Sequence, residues 1–358
     1  MHKLKRSILP IAALSALVVS LCKDALAWGD TGHEAAAFIA WQQMNPTART
    51  QAMALIRLVP QLTSPEGKKA DGFAQWQAEL PAGLSTDDQN LFLFMRAATW
   101  ADSIKHIGFH DSDDPPKDDA VDLPVGFGDP ASHGYWHFVD RGLTSDGSQV
   151  PPTPVPNAAV QIVELRKDLT SDTDSKLRAY ELVWLLHLVG DIHQPLHGAS
   201  RFVADKSDLG GNSVRISLPA KLRAKFLANR PQGAPGSPPA DLHAFWDDLP
   251  GVTSDPTLAL KPAADFAKGL AAANSNDVNN TDPAKWEAKT FQAAIQDGYV
   301  SPIGPGNTDK QGHAFVMTAG YYNKAFSDAK ARIALAGARL AKMLNDLWPN
   351  SGSAGNKK

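Results

Sequence analysis

Apolar residues recur at helical spacing along most of the chain, in Ala- and Leu-rich stretches separated by turn-forming clusters. An apolar position every third or fourth residue gives a helix one stripe to bury. The spacing therefore predicts helices over 33–44, 47–59, 88–107, 157–170, 175–192, 240–248, 256–272, 283–298 and 311–347. Pro, Gly and Asp punctuate these runs at 111–130, 150–156 and 230–239. Only 212–218 (N-S-V-R-I-S-L), after the pair Gly210-Gly211, reads as a strand, half of a small β-hairpin. The pattern is that of a mainly α protein. No internal repeat and no long low-complexity linker divides it, so its length fits one large domain or two smaller ones.

The first residues break the pattern. Residues 1–6 carry three positive charges, 7–21 are almost wholly apolar, and Ala25 and Ala27 place small residues where a signal peptidase reads. This predicts a signal peptide over 1–27, export to the periplasm or medium, and Trp28 as the mature amino terminus. The apolar run is too short for a membrane span. Cys22 is the only cysteine, and Leu21 stands before it where a lipoprotein signal would carry a small residue, so simple cleavage is the better reading. The mature chain then has no cysteine: core burial or metals must hold it together, and any metal site uses nitrogen and oxygen ligands. Removing 1–27 takes away four basic residues and one acidic one and leaves a formal charge of −6. That excludes non-specific attraction to phosphates by a basic surface. At the other end, the tail 348–358 is predicted to be disordered, its residues from 351 on being small, polar and charged.

The histidines carry the candidate chemistry. In 184–197 (W-L-L-H-L-V-G-D-I-H-Q-P-L-H), His187 and Asp191 stand four apart and share one helix face. Pro195 then turns the chain and swings His197 off that helix, toward the same region. His243 and Asp247 repeat the four-residue spacing. A lone pair of this kind is more often a hydrogen-bonded surface pair than a ligand set. Here, however, His187 lies among Leu185, Leu186, Leu188 and Val189, where an unsatisfied imidazole is costly and coordination would satisfy it. Trp100-Ala101-Asp102 with Lys105, the run from His133 to Asp140, and Trp28 to His33 add further donors beside aromatic residues. The acidic stretch from Asp111 to Asp122 lacks the glycine and glutamate of an EF-hand loop and reads as a solvated loop.

These motifs, in this order from Trp28 to about residue 347, closely resemble the zinc-dependent single-strand nuclease and 3′-nucleotidase family typified by mung bean nuclease. That family shares its fold and metal arrangement with the bacterial zinc phospholipases C. The resemblance implies a single large helical domain over 28–347, mainly α, with a small hairpin. It implies three zinc ions: one on Asp102, His137, His187 and Asp191; a second on His33, Asp191 and the α-amine and carbonyl of Trp28; a third on His197, His243 and Asp247. Asp102, Lys105 and Asp191 would serve catalysis, and Phe138 and Asp140 a base pocket. At the phosphate-contacting position the family usually has Asn, and this chain has Asp248. The implied activity is that of an ester-bond hydrolase, an endonuclease and 3′-nucleotidase giving 5′-nucleotides. Its substrates would be single-stranded RNA, single-stranded DNA and 3′-nucleotides, with no stable membrane association and a monomeric state. Asp208 to Asn212 also fits the family, although a tight turn is reason enough for its glycines. His106, His110, His133, His193 and His313 have no ligand role, and His193 is expected to orient a ligand from behind. The missing mature cysteines point to a bacterial member. A zinc phospholipase C is the alternative, disfavoured because that enzyme uses Glu where this chain has Asp247. A zinc-sequestering protein without turnover is a third.

Overall fold

The computed structural model describes residues 28–64, 66–105, 126–129, 131–228, 238–251, 263–265, 267–268, 274–304 and 314–350. The signal peptide, the acidic loop 111–122, most of the predicted helix 256–272, the residues from 351 on, and His106, His110 and His313 lie outside them. The described residues are mainly helical: α1 Asp30–Gln43, α2 Pro46–Ile56, α3 Phe73–Ala78, α4 Thr86–Ala97, α5 Trp100–Lys105, α6 Ala158–Ser171, α7 Ser175–Asp191, α8 Ala220–Ala228, α9 Leu242–Asp247, α10 Ser275–Asn279, α11 Pro283–Ala293 and α12 Ala319–Leu347. Side-chain caps start many of them. Asn45, Ser85, Asn157, Asp174, Asp241, Asp282 and Thr318 each accept a backbone N–H of the first turn, which would otherwise go unbonded.

α7 is the axis of the fold. From Ala179 to Asp191 every residue is buried, and apart from Tyr180 and Glu181 near the start of this run the polar groups come at its end, His187 and Asp191. Around it one core gathers Trp41, Phe94, Trp100, Trp136 and Trp184. A second core, of Trp28, Leu196, Phe245, Trp246 and Tyr322, lies beyond the end of the helix. Two helices flanking the site are locked by a buried hydrogen-bonded network. Arg96 of α4 reaches Glu34 of α1 at 3.1 Å and Asp71 at 2.9 Å, in a buried network next to His33. The Glu34 carboxyl is pushed up to about 8, chiefly by burial, with Arg96 opposing the shift.

Several sequence expectations need correction. The helix expected over 88–107 breaks between α4 and α5. There Ala98 N–H and Thr99 N–H bond back three residues, to Met95 and Arg96, and the helix ladder ends. The strand expected over 212–218 shrinks to β4 Ile216–Ser217, which pairs in parallel with β5 Phe315–Val316 rather than in a hairpin. The hairpin is instead β2 Ala199–Val203 with β3 Lys206–Ser207, and β1 Arg141–Thr144 pairs in parallel with β2. The last long helix begins at Ala319, not 311, and α11 runs into a π-turn over Ala294–Gly298. α3 and α8 were not expected. α8 buries only Leu222 and Phe226, too narrow a stripe to stand out in the sequence. No helix among the described residues is long and apolar enough to cross a membrane.

α1 and α12 approach closely because α12 offers a glycine at the contact. A Cβ on Gly337 would lie 2.5 Å from the Ala36 carbonyl oxygen and 2.7 Å from Ile39 Cβ. Alanine is the better helix former by about 1 kcal/mol, but overpacking against backbone costs about 1–3 kcal/mol. Contacts this short against backbone fall at the upper end of that cost, so Gly337→Ala should lower stability by about 2 kcal/mol net in denaturant melts. A variant as stable as the parent would mean the two helices are not in this contact.

Candidate metal centre

Six segments bring candidate donors together at the end of α7. α1 supplies His33 and α5 supplies Asp102. A 3-10 turn over Gly134–His137 supplies His137, and α7 itself ends in His187 and Asp191. The turn Pro195–His197 supplies His197, and α9 supplies His243 and Asp247. Trp28, whose amine and carbonyl the resemblance adds to the set, is anchored beside them. Its indole N–H donates to the Gly190 carbonyl at 3.1 Å, and the next backbone N–H, of Gly29, donates to the Asp247 carbonyl at 3.0 Å.

All eight side-chain donors are buried, none more than 5 % exposed. Both ring nitrogens of His33, Nε2 of His137 and His197, and Oδ1 of Asp102 and Asp191 have no hydrogen-bond partner. Each buried polar atom left so costs about 1–3 kcal/mol. A buried cluster of such nitrogen and oxygen atoms fits a bound cation. Three groups place one donor atom each within 4.8 Å of one another: His33, Asp102 and His187; His137, His187 and Asp191; and His197, His243 and Asp247. The third group has the composition that the resemblance implies. The first two interlock through His187, and there His33 is grouped with Asp102 as well as lying near Asp191.

Asp191 is placed to serve both. Its Oδ2 lies 2.9 Å from His137 Nδ1 and 3.3 Å from His187 Nε2, while its Oδ1 lies 3.4 Å from His33 Nε2. A carboxylate whose two oxygens face different donor sets has the geometry of a bridge. Asp102 Oδ1 stands 3.6 Å from His187 Nε2 and 3.9 Å from His137 Nδ1.

Backbone carbonyls fix the imidazoles. Nδ1 of His187 donates to Ala98, of His197 to His137, and of His243 to Gly210, at 2.7 to 2.8 Å. A carbonyl can only accept, so each Nδ1 holds the proton and each Nε2 presents its lone pair to the cluster. Burial lowers the pKa of His33 and His197, and takes His137 down to about 4, assisted there by Lys105. These rings are neutral at neutral pH, the form a metal ion binds. Burial would also lower His187, but Asp191 and Asp102 outweigh it. Burial would raise Asp102, yet His187 and Lys105 hold it at about 2. Asp247 is pushed well up by burial, with Asp248 adding to the effect. A cation there would reverse this and release the proton.

The residues expected to meet substrate sit beside these groups. Lys105 Nζ is 3.5 Å from Asp102 Oδ1 and 5.9 Å from the centroid of the Phe138 ring. Phe138 packs against the rings of His197 and His243 at 4.7 and 5.9 Å. Parallel pairing of β1 with β2 holds this stretch, because Val139 and Asp140 both donate backbone N–H groups to the His197 carbonyl. Asp140 is half-buried in a left-handed backbone conformation (φ 51°), not at a helix end. Asp248 is half-buried at the carboxyl end of α9. His193 does not orient a ligand. Its Nδ1 donates to the Val189 carbonyl, and its Nε2 accepts from Arg339, which stacks on Trp286. His133 bonds Asp129 and stacks on Trp136.

Sequence reasoning missed three contributors: the carbonyls of Ala98 and Gly210, which carry no residue signal, and Gln194. The Gln194 amide donates to Asp247 Oδ1 at 2.8 Å and so aims the other oxygen at His243. It also missed why Gly190 is glycine. The His33 ring lies directly over it, and a Cβ there would stand 2.7 Å from His33 Nδ1. Gly190→Ala should push that ring out and weaken divalent-metal binding by about tenfold or more with the helical circular dichroism retained. Unchanged metal content under a competing chelator would refute the placement of His33.

The S1/P1 nuclease family model matches residues 28–349, a span that includes every donor described above. No curated protein matches the chain significantly. On the extent of that family match and the donors it encloses, the chain belongs to the S1/P1 nuclease family, whose members hydrolyse phosphodiester bonds in nucleic acids.

Proposed function

We propose that the chain is an exported zinc nuclease. It would hydrolyse single-stranded RNA and DNA to 5′-nucleotides, remove phosphate from 3′-nucleotides, and act in the periplasm or outside the cell after loss of residues 1–27. The observation that carries this reading is the convergence of buried, unpartnered imidazole and carboxylate atoms on the end of α7. The donor set is nitrogen and oxygen only and mixes neutral imidazoles with carboxylates, which suits zinc. Asp102, His137, His187 and Asp191 would hold one ion. His33 and the second oxygen of Asp191 would hold another with the amine and carbonyl of Trp28, and His197, His243 and Asp247 a third.

Bound zinc would supply a water acidified toward neutral pH and Lewis-acid stabilisation of phosphate oxygens. The chain's own residues would do the rest. Lys105 puts a buried positive charge beside Asp102, where charge on phosphate would develop. Phe138 offers a ring face for a base, and Asp140 a carboxylate to accept from a base N–H. A base must leave its stack to reach that ring, so single strands should be preferred to duplexes. The ions also answer the charge question, since they attract phosphate to a chain whose mature surface is net acidic.

The test compares purified mature chain and Asp191→Asn on single-stranded RNA and DNA, duplex DNA, a 3′-mononucleotide and phosphatidylcholine. Nucleotide release from single strands in excess of duplex is expected, with phosphate release from the mononucleotide. Asp191→Asn should abolish both activities and remove at least two ions by elemental analysis. Release of diacylglycerol alone, or full activity in the variant, would overturn the reading. A chain keeping one residue before Trp28 has an amide in place of the α-amine and no lone pair to donate. It should bind about one zinc fewer and lose activity. Parental zinc and rate in that extended chain would contradict the role of Trp28.

A further inference from the structure

The turn Asp208-Leu209-Gly210-Gly211 follows β3 and does more than carry the chain toward β4. It wedges between the two segments that carry the third donor group. A Cβ on Gly210 would lie 2.8 Å from the Leu196 carbonyl oxygen and 3.3 Å from His243 Nδ1. One on Gly211 would meet Leu196 Cδ1 at 3.1 Å and His243 N at 3.4 Å. Both glycines also have positive φ, +60° and +90°, so neither conformation nor space admits a side chain. Through this gap the Gly210 carbonyl reaches His243 Nδ1 at 2.7 Å and fixes which nitrogen of His243 faces Asp247.

What holds that carbonyl in place is a buried polar network that touches no donor atom of the group. Asp208 Oδ1 accepts from Arg201 N–H at 2.9 Å, Gly211 N–H at 3.2 Å and the Tyr299 hydroxyl at 3.1 Å. Its other oxygen lies 3.2 Å from Arg201 Nε, and Arg201 in turn donates to the Gly304 carbonyl. In the preceding peptide, Gly210 N–H donates to Ser200 Oγ, which is bonded to Ser207 Oγ. A tight turn alone needs the glycines. It does not need a carboxylate that is 8 % exposed, with three hydrogen-bond donors on one oxygen.

We propose that Asp208, backed by Tyr299 and Ser200, is a positioning residue that sets the metal affinity of the His197–His243–Asp247 group independently of the two groups joined at Asp191. The inference rests on the zinc reading above. With the turn pinned, His243 is held in one tautomer and one orientation before the ion arrives. With it released, the imidazole must be ordered at the moment of binding, and affinity falls. Loss of a hydrogen-bonding partner behind a metal ligand typically costs about 10–100-fold in metal affinity.

The test is stepwise zinc removal. Zinc-loaded mature protein is dialysed against graded EDTA and the retained zinc counted by elemental analysis, with circular dichroism on each sample. His243→Ala serves as the reference for a chain lacking this ion. Asp208→Ala should lose the same single ion at about 10–100-fold lower chelator than the parent, and keep the others at parental chelator. Tyr299→Phe and Ser200→Ala, which leave the backbone and Asp208 in place, should shift the same step in the same direction by less. Release at the parental concentration in the two milder variants would overturn the proposal, whether or not Asp208→Ala folds. So would loss of all ions together, because a role in general stability predicts that result. A parent that retains no zinc, or a His243→Ala chain that retains as much as the parent, would overturn the zinc reading and this inference with it.

Discussion

The structure depends on what happens at the end of one buried helix. α7 is buried on all sides for about two turns and then presents His187 and Asp191 with no route to water. Asp191 Oδ1 accepts no hydrogen bond, and the nearby imidazoles that could donate are themselves depressed by burial. Protein groups alone leave that account several kcal/mol short, because each buried unsatisfied polar atom costs about 1–3 kcal/mol. Positive charge from bound metal ions would close the gap, and every other donor segment is arranged around that need.

The fold meets the geometric demand mostly with backbone. Three carbonyls, of Ala98, His137 and Gly210, each take the Nδ1 proton of one histidine and turn its Nε2 inward. Each becomes available through a local irregularity: the break between α4 and α5, a single 3-10 turn, and a glycine turn with positive φ. Regular helix would have spent those carbonyls on its own ladder. The irregular elements are thus where the fold and the site are the same problem. The Glu34–Arg96 pair beneath α1 and the close α1–α12 contact at Gly337 keep the His33 helix in register with them.

This division explains what could be read from the sequence. His187 with Asp191 and His243 with Asp247 were legible because four-residue spacing on a helix is a local property, and both pairs do lie on one helix each. The mainly helical architecture was legible for the same reason. The break at Ala98 was not, because Ala-Ala-Thr-Trp continues an apolar helical pattern, while the bond from His187 to the Ala98 carbonyl comes from a segment almost ninety residues away. Nor was the pairing of β1 with β2, which joins residues nearly sixty positions apart and sets Phe138 beside His197. The strand expected after Gly211 found a partner at Phe315–Val316, about a hundred residues on, and the nearer hairpin formed elsewhere. His193 looked like a ligand's support from its place in the motif, yet its buried environment assigned it to Arg339 and Trp286.

The central claim is that the buried donors at the end of α7 are the walls of a three-ion zinc centre. Anomalous scattering across the zinc edge from crystals of the mature chain tests it most directly. The account predicts three peaks, two of them sharing Asp191 and the third among His197, His243 and Asp247. No peak at these residues in zinc-soaked crystals, or zinc bound only elsewhere on the chain, would contradict it.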